Sequence, residues 1–231
     1  MCGIFAIIGK SPVSDETLET LSNKGAHRGP EFSTLSRLDS HVALGFHRLA
    51  INGLNTESHQ PIVRGDVQVI CNGEIYNYRE IYEELNISPN TDSDCEVLLH
   101  LYEKYGVDGM VQIIDGVYAF VLVDMEQGVT YVGRDTYGVR PLFIAEGEGF
   151  TALASEMKQL TNADLTIKDI KQFTPGTFAK LCNHSGSVVE ERRYANFPFM
   201  TRMQIPYPSE YIIYKYIGQI AARLQEAVKK R

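Results

Sequence analysis

The sequence predicts an α+β layered fold, and three observations carry that prediction. Two pairs of apolar segments are joined by four-residue polar turns: 117–124 with 129–134 across 125–128, and 178–182 with 187–191 across 183–186. Strand followed directly by strand means antiparallel pairing. Helical patterns are grouped after the early strands instead of alternating with each of them, which argues against a doubly wound parallel sheet. Residues 2–8 form a continuous apolar run stopped by Gly9, so the chain opens on a buried strand.

The remaining elements follow in order. Ser14 precedes Asp15 and Glu16, with Leu18 and Leu21 on one face and Gly25 as terminator, which predicts a capped helix. Val42, Leu44 and Phe46 alternate with smaller or polar residues, as do Val67, Val69 and Cys71, so two half-buried strands are expected, each running into a polar motif. Ser93 and Glu96 have capping-box spacing, and Val97, Leu98, Leu101, Tyr102 and Tyr105 make a helical stripe ending at Gly106. Pro198, Pro206 and Pro208 stand among aromatic residues, which makes 196–208 a linker. Ile213, Ile217, Ile220, Leu224 and Val228 then recur at helical spacing, so 209–231 is a helix with a basic C-terminus, docked on its own body or leading into another domain.

Composition narrows the function classes. With 231 residues, 44% hydrophobic and 22% charged, the chain can bury a full core, which excludes disorder. The 22 basic residues against 29 acidic ones leave a net charge of −7 with no basic stripe before the last residues, so nucleic acid is not an expected partner. No apolar run approaches the roughly 18 residues of a membrane span, and the apolar start lacks the basic flank and length of a signal peptide. A cytoplasmic protein is expected. Cys2, Cys71, Cys95 and Cys182 fall at wide spacings, which fits neither a disulfide framework nor a zinc site. Gly9-Lys10-Ser11 is not a phosphate-binding loop, because five residues separate it from Gly3 where that motif has four.

Cys2 is the most informative position. Removal of the initiator methionine would leave a thiol and a free α-amine on one residue, a nucleophile beside a base whose unperturbed pKa is roughly 7.7 to 8.0. Read alone, a cysteine in a buried strand is more often just a small hydrophobe. Asn72-Gly73 follows an alternating strand, and a turn there would present a side-chain amide and a main-chain N–H side by side, suited to an oxyanion or simply to reversing the chain. Arg48 closes another apolar strand, where its guanidinium would grip a carboxylate or make a structural ion pair. Asp94 either complements a helix dipole or meets a ligand ammonium group.

The motifs Met1-Cys2-Gly3-Ile4-Phe5, His27-Arg28-Gly29-Pro30-Glu31, Arg48-Leu49-Ala50-Ile51, Asn72-Gly73-Glu74-Ile75-Tyr76-Asn77 and Ser93-Asp94-Cys95-Glu96 occur together and in order. Gly133-Arg134-Asp135 with Gly138, Pro141-Leu142-Phe143 and Ala154-Ser155-Glu156-Met157-Lys158 follow. Over residues 2–195 the chain resembles a class II, or N-terminal nucleophile, glutamine amidotransferase domain. Within that class it is most similar to the glutaminase domain of glutamine-hydrolysing asparagine synthetases. The resemblance implies an αββα sandwich of two antiparallel sheets with helices on the outer faces. It implies Cys2 as nucleophile, with the Asn72 side chain and Gly73 N–H as the oxyanion hole. Arg48 would hold the glutamine α-carboxylate, Glu74 and Asp94 its α-amino end, and Leu49, Ala50, Ile51 and Asn52 would line the pocket. Arg28 would sit in the loop closing over substrate.

The reaction so implied turns glutamine into glutamate and ammonia without metal or cofactor. The family's synthetases use ATP and magnesium in a domain opened by a Ser-Gly-Gly-x-Asp-Ser loop, and this chain has no Gly-Gly pair. The expected partners are therefore glutamine and a synthetase domain or separate synthetase polypeptide, with a homo-oligomer left open. A silent glutamine-binding or interaction domain, and a glutaminase serving another amide-forming synthetase, are the rival readings.

Overall fold

A computed structural model of the chain describes residues 1–10, 13–161, 166–195 and 207–230. The chain divides into two units, Met1–Ala195 and Asn196–Arg231. In chain order the strands are β1 (Gly3–Gly9), β2 (Phe32–Arg37), β3 (Val42–Arg48), β4 (Ile62–Arg64), β5 (Val67–Ile75) and β6 (Gly116–Asp124). They continue with β7 (Val129–Arg134), β8 (Phe143–Gly147), β9 (Phe150–Ala154), β10 (Ile167–Gln172), β11 (Thr177–Cys182) and β12 (Val188–Arg193). The first unit also holds helices α1 (Asp15–Asn23), α2 (Tyr78–Leu85) and α3 (Val97–Ile113), and the second holds α4 (Glu210–Lys230). Most of the expected linker lies outside the described residues. The stripe from Ile213 to Val228 does fall on one helix, α4.

All strand pairs are antiparallel, in two sheets ordered β10-β8-β9-β1-β3-β2 and β12-β11-β7-β6-β5-β4. The two-residue period of each strand sorts its side chains into layers. Ile4, Ala6 and Ile8 of β1 meet Ile70 of β5 and Ala119, Val121 and Val123 of β6 in one core between the sheets. Phe5 and Ile7 point the other way, onto Leu18 and Leu21 of α1. Val69 and Cys71 of β5, with Phe120 and Leu122 of β6, pack under Leu98, Leu101 and Met110 of α3. Helix, sheet, sheet and helix thus stack as the αββα sandwich that the resemblance implied.

Two local expectations need correction. The β3 strand is buried on both faces, not half-buried, because Leu44 and Phe46 fill the inter-sheet core while Ala43 lies under α1 and His47 reaches the Ser22 carbonyl at 2.7 Å. Ser93 does cap, accepting from the Cys95 N–H at 3.3 Å, but it caps a short 3-10 turn and the box is not reciprocal. The Glu96 carboxylate instead accepts from the Asn90 and Thr91 N–H groups at 2.8 and 2.6 Å and meets His100 at 3.2 Å. The stripe does end at Gly106, whose φ of +65° and ψ of −179° are not helical, and a second helical segment carries Val107, Met110 and Val111 on over the outer face of the second sheet. The α1 cap is as expected, with Ser14 Oγ accepting from the Thr17 N–H at 3.2 Å.

Candidate active site

The site forms where β5 has lost its neighbour. Strand β4 pairs only with Val67, Gln68 and Val69, so beyond them one edge of β5 is open. On that edge the Cys71 N–H donates to Gln60 Oε1 at 2.6 Å and the Ile75 N–H donates to Asp94 Oδ2 at 2.7 Å. The strand period places the Gly73 N–H on the same edge, between them, and Gly73 lines the pocket there. Asn72 lies one residue away, so its side chain turns to the face that Ile70 presents between the sheets. Asn72 is 1% exposed, and its Nδ2 is buried with no hydrogen-bond partner among the described residues.

Asn72-Gly73 is therefore not the turn the sequence suggested but continuous strand, paired with Ala119 and Tyr118 of β6. The amide and N–H still come together, because a strand sends a side chain to one face and the next main-chain donor to its edge. Glycine is required by closeness: a Cβ on residue 73 would stand 2.7 Å from Tyr118 Cβ and 2.8 Å from the Val117 carbonyl. Opposed residues whose main chains do not bond each other sit closest in an antiparallel pair, and Gly73 and Tyr118 are such a pair.

Cys2 immediately precedes β1 and packs against the core between the sheets, so it faces the same space as Asn72. Its Sγ accepts from the Leu49 N–H at 3.4 Å. Burial pushes the Cys2 thiol above its usual range, while the Leu49 N–H and the neighbouring terminal amine pull it back. The amine itself, carried here by Met1, is lowered by burial and by the Arg28 and Arg140 guanidinium charges, although Cys2 opposes that shift. The pocket has a volume of about 50 Å³ and Met1 forms part of its wall. At roughly 10–15 Å³ per water, that holds a few waters only.

Arg48, Leu49, Ile51, Asn52, Glu74 and Asp94 all line this pocket. Arg48 is 5% exposed; it donates to the Asn55 carbonyl at 3.0 Å and to the Gly53 carbonyl, pinning the loop after β3. Asp94 is pushed up by burial and pulled down by its hydrogen bonds, among them one with Asn52, with a net rise. Two expected residues stand elsewhere. Ala50 is not in the lining, because its N–H turns away to Glu31 Oε2 at 2.7 Å. Arg28 is not in the lining either: it ends a 3-10 turn, where its Nε donates to the Cys2 carbonyl at 2.9 Å and its Nη1 to Glu156 at 3.2 Å. It anchors the main chain of the cysteine instead of covering the pocket.

Sequence reasoning missed Gln60 and Arg140, both in the lining. Arg140 is delivered by a loop that Asp135 organises, accepting from the N–H groups of Tyr137, Val139 and Arg140 at 3.1, 2.9 and 3.0 Å. The Gly133-Arg134-Asp135 motif with Gly138 was its available signal. Gln60 left no signal in the sequence. Cys71 and Cys95 also line the pocket, but the Cys95 thiol is raised by its bond with Cys71 and by burial, which leaves it inert.

A family model for the glutamine amidotransferase domain matches residues 1–194. The chain belongs to that family. It is 38% identical over 191 residues to the glutamine-hydrolysing asparagine synthetase of Bos taurus, a match covering 78% of this chain and 34% of that protein. The Gallus gallus enzyme is 37% identical over 202 residues, covering 82% of this chain and 35% of the relative. The chain thus spans about a third of the length of these relatives. In fold it is similar to glutamine phosphoribosylpyrophosphate amidotransferase from B. subtilis, with a TM-score of 0.70 at 20% identity over 84% of this chain and 49% of that one. For a glutamine amidotransferase domain, the arrangement sets a thiol, an unpartnered amide and an open-edge N–H around one space flanked by two guanidiniums and two carboxylates. That set can take an amide through an anionic tetrahedral intermediate.

Proposed function

We propose that this domain hydrolyses glutamine to glutamate and ammonia through a thioester on Cys2, and that the ammonia serves asparagine formation by an ATP- and magnesium-dependent synthetase region, in the same polypeptide or a separate one. The observation that carries the reading is Asn72 Nδ2, buried without a partner among the described residues, in the pocket that the Gly73 backbone and the Cys2 thiol also line. A buried donor left unmade costs about 1–3 kcal/mol, and an oxyanion at that point would remove the cost.

The geometry runs the reaction in two halves. With Met1 removed, the α-amine of Cys2 takes the thiol proton, and the sulfur attacks the side-chain carbonyl carbon of glutamine. The carbonyl electrons move onto oxygen, which Asn72 Nδ2 and the Gly73 N–H hold. The C–N bond then breaks as the amine returns its proton to the nitrogen, releasing ammonia. Water, deprotonated by the same amine, attacks the thioester; glutamate leaves and the thiol is restored. Arg48 holds the α-carboxylate, and Glu74 and Asp94 hold the α-ammonium group. Leu49, Ile51 and Asn52 shape the walls, and Arg28 keeps the Cys2 main chain in place. Loss of Met1 also removes part of the wall that keeps the pocket small. The protein chemistry of this half-reaction uses no metal or cofactor.

The test is direct. Glutamate and ammonia are measured from glutamine with the wild-type chain and with Cys2→Ala. Release by the wild type that is lost in the variant is expected. Glutamine binding with no hydrolysis by a fully processed chain would favour a silent binding domain instead.

A further inference from the structure

The oxyanion donors and the nucleophile belong to different sheets: Asn72 and Gly73 lie on β5, Cys2 leads into β1. Something must hold the two sheets in register at this point. Gln60 is 6% exposed and sits between them. Its carbonyl accepts from Thr34 Oγ1 of β2, in the sheet that carries Cys2, at 2.8 Å. Its side chain meets β5 of the other sheet, with Oε1 accepting from the Cys71 N–H at 2.6 Å and Nε2 donating to the Cys71 carbonyl at 3.3 Å.

We infer that Gln60 is a positioning residue for glutamine hydrolysis: its amide replaces the missing neighbour of β5 at Cys71 and sets the Asn72 amide and Gly73 N–H against Cys2. The inference rests on the glutaminase reading above and deepens it. The physical argument is the geometry of the open edge. Three main-chain donors, at 71, 73 and 75, point from β5 to the same side. Gln60 takes the first and Asp94 takes the third, so the only one left toward the pocket is that of Gly73. A primary amide has the donor and acceptor pair of a peptide unit and so satisfies both groups of Cys71, as a strand would. An acid or an alkyl side chain cannot do both. Because Gln60 is anchored by Thr34, its grip also ties the position of β5 to the first sheet.

The test compares wild type, Gln60→Leu and Gln60→Glu in the full chain. Leucine keeps the bulk and loses both bonds; glutamate keeps the acceptor for the Cys71 N–H and loses the donor. Three readouts are needed: kcat and KM for glutamine, affinity for the γ-aldehyde analogue of glutamine, and affinity for glutamate. The aldehyde adds the Cys2 S–H across its C=O, so its oxygen occupies the oxyanion site, whereas glutamate reports the ground-state pocket. Thermal unfolding identifies a variant that does not fold, in which case Gln60→Glu decides.

For Gln60→Leu, kcat should fall about 10-fold or more with KM within about threefold, and aldehyde affinity should fall in parallel while glutamate affinity holds. Gln60→Glu should lose less. If kcat and aldehyde affinity stay within about twofold of wild type in the folded variants, Gln60 does not position the donors. If aldehyde and glutamate affinities fall by the same factor, Gln60 supports the pocket in general and the inference is overturned. A wild-type chain that does not hydrolyse glutamine overturns the reading beneath it, and that outcome is visible before any variant is made.

Discussion

Cys2 Sγ accepts a hydrogen bond from the Leu49 N–H at 3.4 Å, so the thiol at the head of β1 is held by the residue that follows the pocket arginine, Arg48. Burial nonetheless leaves the thiol above its usual range, and it rests protonated until a base takes the proton. Retained Met1 should therefore cost about 10²-fold in rate, since it ties up the Cys2 nitrogen as a peptide. Intact mass and glutaminase rate on the same preparations check this. Cys2→Ala should abolish turnover with little change in melting temperature, whereas Cys71→Ala and Cys95→Ala stay active.

Asn72→Ala should lower kcat by about 10² to 10³ with a smaller change in KM. Arg48→Ala should raise KM first. It should also loosen the loop that Arg48 pins through the Gly53 and Asn55 carbonyls, so kcat falls modestly as well. Steady-state kinetics separate the two patterns.

Arg140 bears on pH dependence. Its charge pulls the Cys2 thiol down, which favours the thiolate, and it acts in the same direction on the terminal amine carried here by Met1. Arg140→Gln lets the thiol rise, so the acid limb of kcat/KM should move to higher pH. A pH profile with an unmoved acid limb would remove Arg140 from this role.

Glu96 is 2% exposed; burial pushes its carboxyl up, but the bonds from Asn90, Thr91 and His100 outweigh burial and the net shift is downward. A carboxyl lowered on folding adds stability above its unfolded value and loses it as pH falls through the folded one. Glu96→Gln should cost about 1–3 kcal/mol near neutrality. The difference from wild type should shrink below pH 4.5, which denaturant titration at several pH values would show.

The end of the first unit is defined by Tyr194. Its hydroxyl bonds that of Tyr118 at 2.8 Å and donates to the Arg134 carbonyl at 2.6 Å, and the Ala195 N–H reaches the Gly176 carbonyl at 3.2 Å. A chain ending after Ala195 should fold and keep most of its glutaminase rate, while one ending before Tyr194 should melt lower. Circular dichroism melts and the ammonia assay compare them.

The amino-acid sequence by itself determined the layered antiparallel fold, through two hairpins readable from their turns and an apolar opening strand, because period and turn chemistry are local. It also marked Cys2, Arg48, Asn72, Gly73 and Asp94, each open to a structural reading on its own and given its role only by the resemblance of the ordered motifs. Only the tertiary structure decided how those groups are used. That Asn72-Gly73 is strand and not turn depends on β6 lying alongside it; that Glu96 binds residues 90 and 91 instead of closing a capping box depends on the path of that loop. Gln60 was invisible for the same reason, and Arg140 was signalled only indirectly, by the Gly133-Arg134-Asp135 motif that organises its loop. Each acts at a point far away in sequence, Gln60 on the open edge of β5 and Arg140 beside Cys2, and no local pattern records which edge a fold leaves unpaired.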